Sequence, residues 1–146
     1  FVFVFFGLIA VPGTYYLQSG NISMDSIWMG VSMGMLSNAI LVVNNLRDLD
    51  ADKISGKRTL AVRFGKYFSK IQYSLLILIP FYLPFYFWFK EKNDLSTMLT
   101  CFSFPIACNL SFQIFKMTGS DLNILLSKTA RLLFIYAILF SMGLII

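Results

Sequence analysis

Apolar residues run through this chain in five long blocks, separated by short polar or charged connections. The blocks cover roughly 1–17, 26–43, 71–89, 97–115 and 130–146. As helices rising 1.5 Å per residue, they are each long enough to cross about 30 Å of hydrocarbon. Pro12, Pro80, Pro84 and Pro105 fall inside them. Packed membrane helices tolerate proline, because neighbouring groups take up the carbonyls it frees. Gly30, Ser32, Gly34 and Ser37 predict close packing of the second helix. The pattern predicts an all-α integral membrane domain of five transmembrane helices.

Composition agrees with this. Of 146 residues, 58% are hydrophobic and 13% charged, and mean hydropathy is +0.74. A soluble domain of this size cannot bury so much apolar surface, so lipid is the expected solvent. There is no histidine, which excludes a Ser-His-Asp triad, a Cys-His pair and most zinc sites. Cys101 and Cys108 are about two helical turns apart in one block, too far for a disulfide, and are expected to pack. The opening FVFVFFGLIA has no initiating Met and no basic n-region, so it is not a signal peptide. The chain reads as the C-terminal piece of a longer protein.

Charge then gives an orientation. The connection SGNISMD has no Lys or Arg, and KEKND is balanced. The loop 46–70 holds Arg47, Lys53, Lys57, Arg58, Arg63, Lys66 and Lys70, seven of the twelve Lys and Arg. The last connection carries Lys116 and Lys128, with Arg131 just beyond. Alternating sides places both cation-richer loops in the cytoplasm and the C-terminus outside. The net charge of +5 is accounted for by these loops and an anion site, not by nucleic acid.

Candidate chemistry lies in NNLRDLDADKISGKRTLAVRFG, starting at Asn44. It is not an EF-hand, since Lys53 and Thr59 stand where Gly and Glu are required. Nor is it a Walker A loop: Ala51 replaces the first Gly, and Arg58 follows Lys57. Read as the cytoplasmic end of a helix, Asn44, Asp48 and Asp52 are spaced i, i+4, i+8. They stay within roughly 80° of arc, with Asp50 pointing elsewhere. An amide and two carboxylates offer oxygen ligands without a full cage, which suits Mg²⁺ joined to a substrate phosphate. Lys53, Lys57 and Arg58 would neutralise phosphate oxygens, and Gly56 would turn the chain so that they face the stripe. The competing reading is a solvated loop whose cations only set topology. The helical spacing of the acids, their segregation from the bases and the preceding amide weigh against it.

N-x-x-x-D-x-x-x-D followed by G-K-R-T-L-A-V-R-x-G resembles the second aspartate-rich motif of the UbiA family of intramembrane prenyltransferases. NNLRDLDADKISGKRTLAVRFGK, FFGLIAVPGTYYLQSG and LNILLSKTARLL are most similar to the branch acting on 1,4-dihydroxy-2-naphthoate in menaquinone synthesis. The resemblance implies nine transmembrane helices around a central cavity faced by two such motifs. This sequence would supply helices five to nine and only the second motif. By the same resemblance, Asp48 and Asp52, with Asn44, would bind Mg²⁺ bridged to polyprenyl diphosphate. Lys53, Arg58 and Lys57 would neutralise the diphosphate. Departing pyrophosphate would leave an allylic carbocation, attacked by the dihydroxynaphthoate ring with loss of CO₂ to give demethylmenaquinone. Other acceptors within the family are 4-hydroxybenzoate, homogentisate, chlorophyllide and haem. A transporter or channel segment is the rival of another class, but it predicts acids near the bilayer middle. The implied location is a bacterial inner membrane.

Three further features carry weaker readings. Phe64, Tyr67 and Tyr16 are candidates to shield a carbocation, against the plainer role of facing lipid. The run PFYLPFYFWFK reads as an aromatic belt near the outer surface. Lys128 and Arg131 are either a positive-inside flank or a place for the naphthoate carboxylate.

Overall fold

The computed structural model describes residues 1–90 and 95–145. Among these, α1 (Phe3–Ser19) begins as a π-helix and continues as an α-helix. It is followed by α2 (Met24–Arg47), a short α3 (Leu49–Ile54), α4 (Leu60–Lys90), α5 (Ser96–Lys116) and α6 (Gly119–Ile145). The protein is an all-α integral membrane protein. Four of these helices are long and apolar enough to cross a membrane, and α1 is shorter than that. The expected balanced turn at KEKND falls largely on residues 91–94, outside the described residues.

Two helices start well before their apolar blocks. α4 begins at Leu60 rather than 71, because Thr59 caps it by accepting from Val62 N at 3.2 Å. Two cations of this first stretch reach neighbouring helices, Lys66 to Asp50 at 3.7 Å and Lys70 to Phe115 O at 3.0 Å. Within this stretch Gly65 interrupts the helix at φ 86, ψ 176, a backbone conformation open to glycine. α6 begins at Gly119 rather than 130.

The chain runs up and down between two ends. At one end Asp25 is paired with Lys90 and accepts from Tyr86. Gly143 packs on the backbone of Ser96 and Thr97, so α6 finishes at this end and α5 starts there. At the other end Lys70 Nζ donates to Phe115 O at 3.0 Å, and Arg47 reaches Asn123 on α6. Both cation-richer connections therefore lie at one end of the bundle, as alternation requires.

Proline is accommodated as membrane packing predicts. Pro84 has no N–H to give Pro80 O, and Tyr136 Oη of α6 donates to that carbonyl at 2.8 Å. Tyr73 and Thr129 form a second buried link, 2.7 Å between hydroxyl oxygens. Thr129 already donates to Leu125 O, so Tyr73 is the donor. The aromatic run divides its work. Phe81, Leu83 and Phe87 join the core, while Phe85 and Phe89 face outward. The cysteines are free and half-buried.

The tightest contact joins α1 to α2. A Cβ on Gly30 would stand 2.2 Å from Gly7 O, and one on Gly34 would stand 2.9 Å from Gly7 Cα. The absence of side chains at these three positions lets the backbones touch. Backbone faces backbone here, so no rotamer change can relieve an added methyl. Gly30→Ala is expected to cost about 2–3 kcal/mol. Gly13→Ala, where a Cβ meets nothing within 4 Å, should cost nothing measurable. Thermal unfolding of the two variants in detergent micelles checks the contrast.

Candidate functional site

The row expected from the sequence, Asn44, Asp48 and Asp52, forms across a helix break, not on one continuous helix. α2 ends at Arg47, and Asp48 sits at the junction with φ −89, ψ 7. Carboxylates at the end of α2 would face its negative dipole end. Restarting as α3 places Asp50 and Asp52 in a first turn, where the dipole favours them. The spacing nevertheless survives, because Asp48 N donates to Asn44 O at 3.0 Å and Asp52 N to Asp48 O at 2.8 Å. The three residues follow one another at single-turn intervals.

Their surroundings differ. Asp48 is gripped by both arms of Arg47, Nε to Oδ1 at 2.7 Å and Nη2 to Oδ2 at 2.8 Å. The same guanidinium donates to Asn44 Oδ1 at 2.8 Å and to Asn123 Oδ1 at 2.9 Å. The fork holds the Asp48 carboxyl below its ordinary value. Asp52 is buried, with only 6% of its side chain exposed, and pairs with Lys57 at 3.0 Å. Asp50 is 79% exposed and lies 3.7 Å from Lys66, on the other side.

Gly56 makes the return turn. At φ 71 it closes α3, with Gly56 N donating to Lys53 O and Lys57 N to Asp52 O. The turn brings the Lys57 ammonium onto the carboxylate of Asp52, five residues earlier. Lys53 and Arg58 are exposed, and neither has a hydrogen-bond or ion-pair partner among the described residues.

Asn44 also borders a groove. A space of about 500 Å³ opens between α1, α2 and α6. Its walls include Val2, Phe6, Ile40, Leu41, Leu126 and Leu133, and its polar members are Ser37 and Asn44. Phe64, Tyr67 and Tyr16 do not line it; all three are exposed. Among the described residues no three His, Cys, Asp or Glu side chains gather as a metal cage.

Sequence reasoning counted Arg47 only as a topology charge. Its position three residues after Asn44 and one before Asp48 was the available signal, since i and i+3 share a helix face. Asn123 carried no such local signal. It joins the cluster only because α6 packs on α2.

Comparison with known proteins adds the family. Residues 1–138 match the UbiA prenyltransferase family model. The chain is 33% identical over 146 residues to a 1,4-dihydroxy-2-naphthoate octaprenyltransferase of Haemophilus influenzae, covering 99% of this chain and 47% of that protein. It is 47% identical over 77 residues to the protein of that name from Mycobacterium leprae, covering 53% of this chain and 26% of the relative. UbiA prenyltransferase domain-containing protein 1 of Homo sapiens is 29% identical over 145 residues, 99% of this chain and 41% of that protein. The chain thus spans about half the length, or less, of these relatives. No solved structure matches.

Proposed function

The chain belongs to the UbiA prenyltransferase family, and we propose that it forms the diphosphate-binding half of an enzyme that transfers a polyprenyl group to 1,4-dihydroxy-2-naphthoate with loss of CO₂. One observation carries this reading. Asn44, the first member of the oxygen-ligand row, borders the apolar groove between α1, α2 and α6. A polar head held on the row would have its isoprenoid tail in that groove, among Phe6, Leu126 and Leu133.

The donor set fits Mg²⁺. Asp48 and Asp52 offer carboxylates at successive turns, Asn44 offers an amide oxygen, and no sulfur or imidazole intrudes. Mg²⁺ favours one or two carboxylates, retained waters and a substrate phosphate over an all-protein cage. Once bound there, it would supply Lewis-acid activation of the diphosphate leaving group. The protein's own cations add to that. Lys57, together with the exposed Lys53 and Arg58, would take phosphate oxygens and neutralise the charge that develops as pyrophosphate departs. Arg47 would hold Asp48 and Asn44 in register. The loop bearing these groups would face the cytoplasm and the C-terminus the outside, in a bacterial inner membrane.

Acceptor choice is the direct test. Membranes containing the full-length protein are supplied with labelled polyprenyl diphosphate, Mg²⁺ and one acceptor at a time. Prenylated and decarboxylated product is expected with 1,4-dihydroxy-2-naphthoate, and none with 4-hydroxybenzoate or homogentisate. Product from either of the latter, with none from the naphthoate, would move the assignment to another branch.

A further inference from the structure

On the far side of α6 from the groove lies a second feature, a crevice of about 250 Å³ between α5 and α6. Its polar lining is Asn109, Gln113, Lys128 and Arg131, and Ile106 and Ile135 are among its apolar residues. At about 100° per residue, Lys128 and Arg131 stand roughly 150° around the helix from Leu126 and Leu133, which line the groove. The two cations are about 60° apart, so they share one face.

Both cations fall inside the candidate membrane span Gly119–Ile145. Counting 1.5 Å per residue, Lys128 lies about 9 Å and Arg131 about 14 Å beyond Leu122. Asn109 is about 10 Å before the end of α5 at Lys116. Both helices present this end beside the Asp48 cluster, since Arg47 donates to Asn123. The crevice thus lies about two helical turns in from the cation-rich end of the bundle. Cations within a membrane span are costly without a partner.

The partners present are incomplete. Lys128 Nζ donates to Gln113 Oε1 at 3.0 Å, and Gln113 Nε2 donates to Asn109 Oδ1 at 3.1 Å. That relay fixes the Gln113 amide and uses one of the three ammonium donors. Arg131 has no hydrogen-bond or ion-pair partner among the described residues, so its five donors are free. Two cations and a surplus of donors, set above apolar walls, call for an acceptor-rich anion with an apolar body. Basic pockets between transmembrane helices meet anionic lipid head groups in this way.

We propose that the crevice between α5 and α6 holds an anionic phospholipid, its phosphate on Lys128 and Arg131 and its acyl chains along Ile106 and Ile135. A naphthoate carboxylate is disfavoured as the occupant, because α6 would separate it from the groove and from the Asp48 row. The proposal stands apart from the transfer reaction and does not depend on it.

Native mass spectrometry of the full-length protein in detergent tests it. Phosphatidylglycerol, phosphatidylcholine, soluble glycerol 3-phosphate and 1,4-dihydroxy-2-naphthoate are the separate probes. Phosphatidylglycerol adducts should persist where phosphatidylcholine adducts do not. Lys128→Gln with Arg131→Gln should weaken phosphatidylglycerol binding roughly thirtyfold. Lys116→Gln, an exposed cation at the same end, should change it less than about twofold. The exchange Lys128→Arg with Arg131→Lys keeps both charges and should retain binding, which separates charge loss from misfolding. Equal retention of the two lipids overturns the proposal, as does undiminished binding in the folded double Gln variant. Displacement of phosphatidylglycerol by the naphthoate would overturn it in favour of an acceptor-acid site. Equally tight binding of glycerol 3-phosphate would overturn it in favour of a free-phosphate site.

Discussion

Asp48→Asn and Asp52→Asn in the full-length protein should each lower kcat/KM for prenyl transfer by about a hundred- to a thousandfold. Asp50→Asn should change it by less than about threefold. Asn is close in shape to Asp, so the backbone row is kept while a carboxylate charge is lost. The contrast rests on geometry: Asp48 and Asp52 follow Asn44 at single-turn intervals, whereas Asp50 points to solvent beside Lys66. Freed by Asp52→Asn, the mostly exposed Lys57 turns to water, so melting temperatures should stay close to the parent. Steady-state kinetics with Mg²⁺ in excess makes the comparison, and equal loss in all three variants contradicts the row. Acidification should not imitate Asp48→Asn at mildly acidic pH. The Arg47 fork lowers the Asp48 pKa, so its charge is present above the ordinary carboxylate value of about 4. That charge is lost only as pH falls through the lowered folded value.

Arg47→Lys is the second large effect expected. Lysine keeps the charge but not the planar fork that reaches Asp48, Asn44 and Asn123 together. Partners that orient ligand residues are typically worth 10–100-fold in metal affinity or activity, and a loss in that range is expected here. The loss should appear as a raised Mg²⁺ requirement and a raised KM for the prenyl diphosphate, with the melting temperature nearly unchanged. A purely structural Arg47 would instead lower the melting temperature and leave the Mg²⁺ requirement alone.

Much of the fold could be read from the sequence, because lipid imposes a simple rule: a helix that spans must be apolar for its whole crossing. The five blocks, the alternation of cation-rich connections and the tolerance of Pro84 all follow from that rule. Helix ends did not. Thr59 and its capped first turn lie in a polar stretch, where hydropathy carries no information about helix continuation. At the site, the period of Asn44, Asp48 and Asp52 was legible, and so was the return turn at Gly56. The break at Asp48 was invisible because the i, i+4 ladder continues through it. Arg47 and Asn123 were missed for a different reason. Their link crosses 76 residues and exists only once α2 and α6 are packed. The groove beside Asn44 likewise requires three helices, and no local pattern marks it. Acids stand at helix ends among the described residues, with Asp25 at one end and Asp48, Asp50, Asp52 and Asp121 at the other. That placement is what separates this chain from a segment conducting ions through the bilayer middle.

The most direct test is equilibrium binding of a non-reactive prenyl thiodiphosphate to the full-length protein, with and without Mg²⁺. Titration calorimetry of the parent and of the Asp48→Asn, Asp52→Asn double variant gives both arms. Tight binding that requires Mg²⁺ and is lost in the double variant is the predicted result. Binding that is equally tight without Mg²⁺, or that survives both substitutions, would contradict a magnesium diphosphate held on the row from Asn44 to Asp52.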